Sequence, residues 1–139
     1  MDALYDLAVS SGDFVTKDQR LRLWTDVPAQ PALFLRWLGD EYGDRPGRMA
    51  AVAVTMHFEI WIYYKASDLT EAPGRKIAEL VTNLEDALRP LPSMDYQNLG
   101  LSYVSSCYIQ NSKIDIDDGA TQSTRQAVAR VPIRIVAIS

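Results

Sequence analysis

Three stretches of this 139-residue chain hold side chains whose types and spacing could do chemistry. The first is TMHFEIWIYYK, Thr55 to Lys65, where the only histidine, His57, stands two residues from a carboxylate, Glu59, and close to Trp61 and Tyr63. A histidine on that face could serve as a general base. The second is DIDDG, Asp115 to Gly119, whose carboxylates suit a hard cation such as calcium. The third, GDRPGR, has the glycine content of a loop that could wrap a phosphate. The single cysteine, Cys107, is the remaining candidate nucleophile.

Each candidate lacks the parts its chemistry requires. His57 has no GxSxG elbow to serve and no cysteine in a catalytic setting, so it reads as a structural or interface histidine. Counted from Asp115, an EF-hand loop needs Gly at its sixth position and Glu at its twelfth, where this chain has Ala120 and Gln126; DIDDG reads as a solvated turn. GDRPGR lacks the Gly-Lys-Ser/Thr ending of a phosphate loop. Cys107 has no partner for an internal disulfide, and SSCYI offers no second metal ligand, so it reads as a buried thiol. No catalytic residue, metal ligand or cofactor site is predicted, and the chain does not read as an enzyme.

Length and composition predict one domain over residues 1–139. A net charge of -4 disfavours a nucleic-acid binder that works by neutralising phosphates, because that task needs a clustered excess of Lys and Arg. MDALYDLAVSSGD has neither a basic leader region nor a long apolar core, so the expected place is the cytoplasm where the chain is made. Met49 to Tyr64 is the most apolar stretch, shorter than the roughly 20 residues a membrane helix needs and interrupted by His57 and Glu59. It reads as a long strand.

The elements that must position these residues follow from periodicity. Leu4, Leu7 and Ala8 predict a short helix over Asp2 to Ser11, with Gly12 as a left-handed C-terminal cap. FVTKDQRLRLW is a weak strand, and ALFLRWL is a strand with Leu33, Leu35 and Trp37 on one side. Gly39 to Arg48 reads as a solvated hairpin loop. Ile77, Leu80, Val81, Leu84 and Leu88 form one apolar stripe along a helix over Arg75 to Arg89, which Pro90 ends. LSYVSSCYIQ and RQAVARVPIRIVAI are further strands, the last predicted to lie at an edge or to bulge because Pro132 lacks a ladder donor.

The expected fold is α+β (α/β): a mixed four- to five-stranded sheet with one long helix packed on one face and a short N-terminal helix, the long helix making a right-handed crossover if its flanking strands are parallel. Strand alternation divides the long strand into Met56, Phe58, Ile60, Ile62 and Tyr64 on one face and His57, Glu59, Trp61 and Tyr63 on the other. Two helices cover one face, so the second is left under-covered, and a patch of that kind points to an interface with another subunit.

DVPAQPALFLRWLGDEYGDRPGR, then FEIWIYY, the helix IAELVTNLEDALRP, NLGLSYVSSCYIQNSKIDIDDG and AVARVPIRIV together resemble the tail terminator (tail completion) proteins of long-tailed bacteriophages. The resemblance spans Leu21 to Ile138 and is carried by the order of Pro31 to Phe34, Arg45 to Gly47, and Leu99 with Gly100. It implies a virion protein, made in the host cytoplasm, that forms a homo-hexameric ring at the head-proximal end of the tail tube. Its partners would be its own copies, the tail tube protein and the head-tail connector or neck protein, with no membrane and with genomic DNA passing through unbound. On that reading His57, Glu59, Trp61 and Tyr63 would face the next subunit, and Glu41, Tyr42, Asp44, Arg45 and Arg48 would meet tube or connector. Either Asp115, Asp117 and Asp118 or Glu85 and Asp86 would line the lumen, where carboxylates repel passing phosphates. The alternatives are a head-side neck or connector-completion protein and a small ligand-binding α+β domain, or an enzyme of that architecture, with its pocket between helix and sheet.

Overall fold

The computed structural model describes residues 2–21, 31–43, 53–65, 73–90, 92, 94, 96–110, 115–117 and 126–138. The elements run α1 (Asp2–Ser10), β1 (Thr16–Asp18), β2 (Ala32–Tyr42), β3 (Ala53–Lys65), α2 (Pro73–Ala87), β4 (Val104–Ile109), β5 (Asp115–Asp117) and β6 (Gln126–Ile138). This is the expected α+β class. The sheet has six strands, five in the order β1-β2-β3-β6-β4, with β5 also pairing β6. β1 runs parallel to β2 and every other pairing is antiparallel.

The long strands form the centre. β3 and β6 pair residue for residue from Ala53↔Ile138 to Lys65↔Gln126. The even-numbered residues Phe58, Ile60 and Ile62 therefore share a face with Val131, Ile133 and Ile135, and the two helices cover it. The α2 stripe of Ile77, Leu80, Val81, Leu84 and Leu88 is buried there as its spacing predicts, with Leu4 and Ala8 of α1 alongside. Since β4 and β3 are both antiparallel to β6, they are parallel to each other, and the α2 connection crosses over β6 to join them.

Four local expectations need correction. Gly12 is not a left-handed cap: among the described glycines only Gly39 and Gly100 have positive φ. A Cβ on Gly12 would instead lie 3.1 Å from the Phe14 ring and 3.3 Å from Leu80, so close packing demands the missing side chain. Nearby, the Ser10 and Ser11 hydroxyls donate to the carbonyls of Leu7 (2.7 Å) and Ala8 (2.6 Å), satisfying acceptors that a helix end leaves open. The segment Gly39 to Tyr42 is strand rather than loop. A register shift between Trp37 and Gly39 lets β2 continue to Tyr42↔Val54, and Gly39, at φ 129°, supplies a backbone conformation other residues rarely adopt. Asp115–Asp117 is likewise a strand, held by pairing from Asp115↔Arg130 to Asp117↔Val128, not a turn.

The fourth correction concerns Pro132, which lies in the central strand β6 opposite Glu59. Its carbonyl accepts from the Gln110 N–H at 2.9 Å, on the β4 side. A residue's N–H and C=O leave an extended strand in the same direction, so the missing donor of Pro132 also points there. That is where the described pairing breaks, between Ile109↔Ile133 of β4 and Asp115↔Arg130 of β5. A proline is tolerated there because its missing donor falls where the register on that side shifts, six positions from Ile109 to Asp115 answering three from Ile133 to Arg130.

Cys107 is the buried thiol its surroundings predict, and burial pushes it from 9.0 up to about 12. The thiol therefore stays protonated at neutral pH. Because the folded state holds the proton more tightly, this contribution to stability is complete below pH 9 and is lost as the pH rises toward 12. A urea series across that range should show stability falling by up to about 1.4 kcal/mol per pH unit, with Cys107→Ala removing that component. An identical slope in the variant would contradict it.

Candidate functional site

The sheet face opposite the helices is a set of cross-strand rungs fixed by the register. In order these are Ala32–Tyr63–Val128, Phe34–Trp61–Arg130, Arg36–Glu59–Pro132, Gly39–His57–Arg134 and Glu41–Thr55–Val136, taken from β2, β3 and β6. The environment changes steadily along them.

At the first two rungs Ala32, Phe34 and Tyr63 form a small second core, with Leu21, Trp61 and Val128 packed against it. The Phe34 and Tyr63 rings lie 5.7 Å apart at 58°, and those of Trp61 and Tyr63 6.3 Å apart at 57°, both tilted contacts of the kind aromatic pairs prefer. Tyr63 is 4% exposed, and burial raises its hydroxyl pKa. The expectation that Tyr63 faces another subunit is thereby corrected. Alternation gives its face correctly, but Ala32 and Phe34 of β2 help build a core around it.

The third rung is electrostatic. The Glu59 side chain, 13% exposed, lies 3.8 Å from Arg36 Nη1 and 3.5 Å from Arg130 Nε. Trp61 Nε1 donates to Glu59 Oε1 at 3.3 Å, and the Arg130 guanidinium sits 5.8 Å from the Trp61 ring centroid, in cation–π range. One carboxylate thus organises two arginines and an indole.

The fourth rung is incomplete. His57 Nε2 lies 3.1 Å from Glu41 Oε1 but without the alignment of a hydrogen bond, and it is shielded from solvent. Arg134 Nε is shielded too and has no acceptor. Beside them is a shallow cleft of about 320 Å³ lined by Leu38, Gly39, Asp40, Glu41 and His57. Among the described residues no cluster of three or more His, Cys, Asp or Glu could hold a metal. Among the described residues, the cleft lining carries no hydroxyl or thiol. The shielded imidazole and guanidinium leave this rung able to bind an acceptor.

Of the other predicted positions, Glu41 and Tyr42 lie in β2, whereas Asp44, Arg45 and Arg48 are outside the described residues. Glu85 and Asp86 are exposed on α2, on the far side of the sheet, with Asp86 3.3 Å from Arg89. Asp115 and Asp117 belong to β5, and Asp118 lies outside the described residues. The structure therefore brings His57, Glu59 and Trp61 together and sets Asp115 across β6 on the Trp61–Arg130 rung, while Glu85 and Asp86 stand apart on α2. What sequence reasoning misses is the arginines. Arg130 and Arg134 share a parity in β6, so the signal was there, but only the pairing with β3 sets them beside Glu59 and His57.

The sequence matches no protein-family model and no curated protein. The site therefore rests on its own geometry. No helix among the described residues is long and apolar enough to cross a membrane.

Glu59→Gln should cost about 1–3 kcal/mol in chemical denaturation, because a shielded carboxylate that organises two arginines loses its charge. Glu41→Gln, whose side chain is 77% exposed, should stay within about 0.5 kcal/mol. Equal effects would show that Glu59 is not the organising group.

Proposed function

We propose that the chain is a structural subunit of the tail-terminator type. Six copies close into a ring at the head-proximal end of a phage tail tube, stop its polymerisation and present the docking surface for the head connector. The observation that carries this reading is the helix-free sheet face, which displays Trp61, His57 and Arg134 beside a single shielded glutamate, Glu59, that holds Arg36 and Arg130. Such a mixture of aromatic and arginine side chains is the usual composition of an interface core.

A second feature supports it. Trp37, Leu38 and Tyr42 on β2 are 62%, 49% and 71% exposed, far more than a strand of an isolated domain needs to show. The resemblance of the sequence to tail terminators supplies the partners: further copies of the chain, the tail tube protein and the head-tail connector. The net charge of -4 suits a ring that DNA traverses without being held. Carboxylates of Asp115, Asp117 and Asp118, or of Glu85 and Asp86, are the groups for the lumen.

The test is to add the labelled chain to its growing tail tubes and measure tube length and label position by electron microscopy. A terminator marks one end of each tube and halts elongation there. Tubes that keep lengthening with the chain present, or label scattered along their sides, would contradict the reading.

A further inference from the structure

We infer that Arg134 receives a carboxylate from a neighbouring copy of this chain, supplied by Asp6 or Asp13 beside the α1 helix. This rests on the ring reading and adds which surfaces meet.

The inference starts from an unfilled need. Arg134 is central in the sheet, its Nε shielded from water without an acceptor, and no carboxylate among the described residues pairs with it. Buried donors of charged groups are rarely left so, because nothing replaces the hydrogen bonds lost with water. The carboxylates on the rungs beside it are taken, and Asp115 and Asp117, which the register also places on this face, stand opposite Arg130 and Val128, four and six residues along β6 from Arg134. Glu59 already serves Arg36, Arg130 and Trp61, and Glu41 lies against His57.

The opposite side of the subunit has the complementary surplus. Asp2, Asp6 and Asp13 stand in a segment, Asp2 to Thr16, without a single Lys or Arg. Asp2 accepts from the Gln19 amide at 2.8 Å, while Asp6 and Asp13 are exposed and have no ion-pair partner among the described residues. Through Leu4 and Ala8, α1 packs into the core on the helix side of the sheet. Unpaired acids and an unpaired arginine therefore look out from opposite sides of one subunit.

That polarity selects the mode of assembly. A two-fold contact between sheet faces would set arginines against arginines, whereas a head-to-tail contact sets the sheet face of one copy against the α1 side of the next. Only a head-to-tail contact repeats around a ring.

The experiment is a charge swap followed by sedimentation velocity. Arg134→Glu alone and the pair Asp6→Arg with Asp13→Arg alone should each weaken assembly about tenfold or more, and all three together should restore it to within about threefold of the original chain. If Arg134→Glu does not fold, Arg134→Gln replaces it as the single variant, and the acid-side pair still tests the contact because those residues are exposed. Rings that form equally well in every variant, or a combination no better than its parts, would overturn the pairing and leave the ring reading standing. An original chain that never assembles would overturn both. Loss of duplex-DNA binding rather than of assembly in the Arg134 variant would assign that arginine to phosphate and overturn the inference.

Discussion

The pairing of β3 with β6 is the constraint on which the rest of this structure depends. Each strand is thirteen residues long, and they match without a break from end to end. Side chains alternate with a period of two, so a slip of one residue would move every side chain of one strand to the wrong face. In β6 it would turn Ile133 and Ile135 away from the helices and bring Arg130 and Arg134 beneath α2. Burying those guanidiniums unpaired is prohibitive, which makes the register a single well-defined solution. The helix-side core and the polar face are two consequences of the same ladder.

The polar face is graded rather than uniform. It is an aromatic core at Ala32, Phe34 and Tyr63, a charge-organised belt at Glu59, and an unsatisfied rung at His57 and Arg134. The chain supplies its own cover at one end, and at the other the described residues leave His57 Nε2 and Arg134 Nε without a hydrogen bond. Along the neighbouring edge, the irregularity at Gly39 lets β2 continue while displaying Trp37 and Tyr42. A bulge of this kind also twists an exposed strand away from indefinite edge-to-edge pairing, a property that a subunit meant to close a ring, and not to propagate a sheet, would need.

Much of this was legible in the sequence because it depends on local periodicity. The α2 stripe, the two faces of β3, the burial of Cys107 and the α+β class all follow from spacing alone. What was not legible depends on pairing between distant segments. Gly39 looks like a turn glycine until β3 is seen to continue opposite Tyr42, and Pro132 looks like an edge residue until the register shift between β4 and β5 is seen beside it. Asp115–Asp117 is too short and polar to announce a strand, and only β6 makes it one. Tyr63 lies on the face its parity predicts, yet whether that face is bare depends on Ala32 and Phe34, far earlier in the chain. For the same reason the arginines of β6 went unread as part of a site.

The most direct measurement of the proposed role is native mass spectrometry of the purified chain, whose single-copy mass is 15.6 kDa, over a range of concentrations. A tail-terminator ring gives one dominant assembly at six times the chain mass, with no larger species following as concentration rises. A chain that stays at one copy throughout, or that grows into an open ladder of ever larger assemblies, would contradict it.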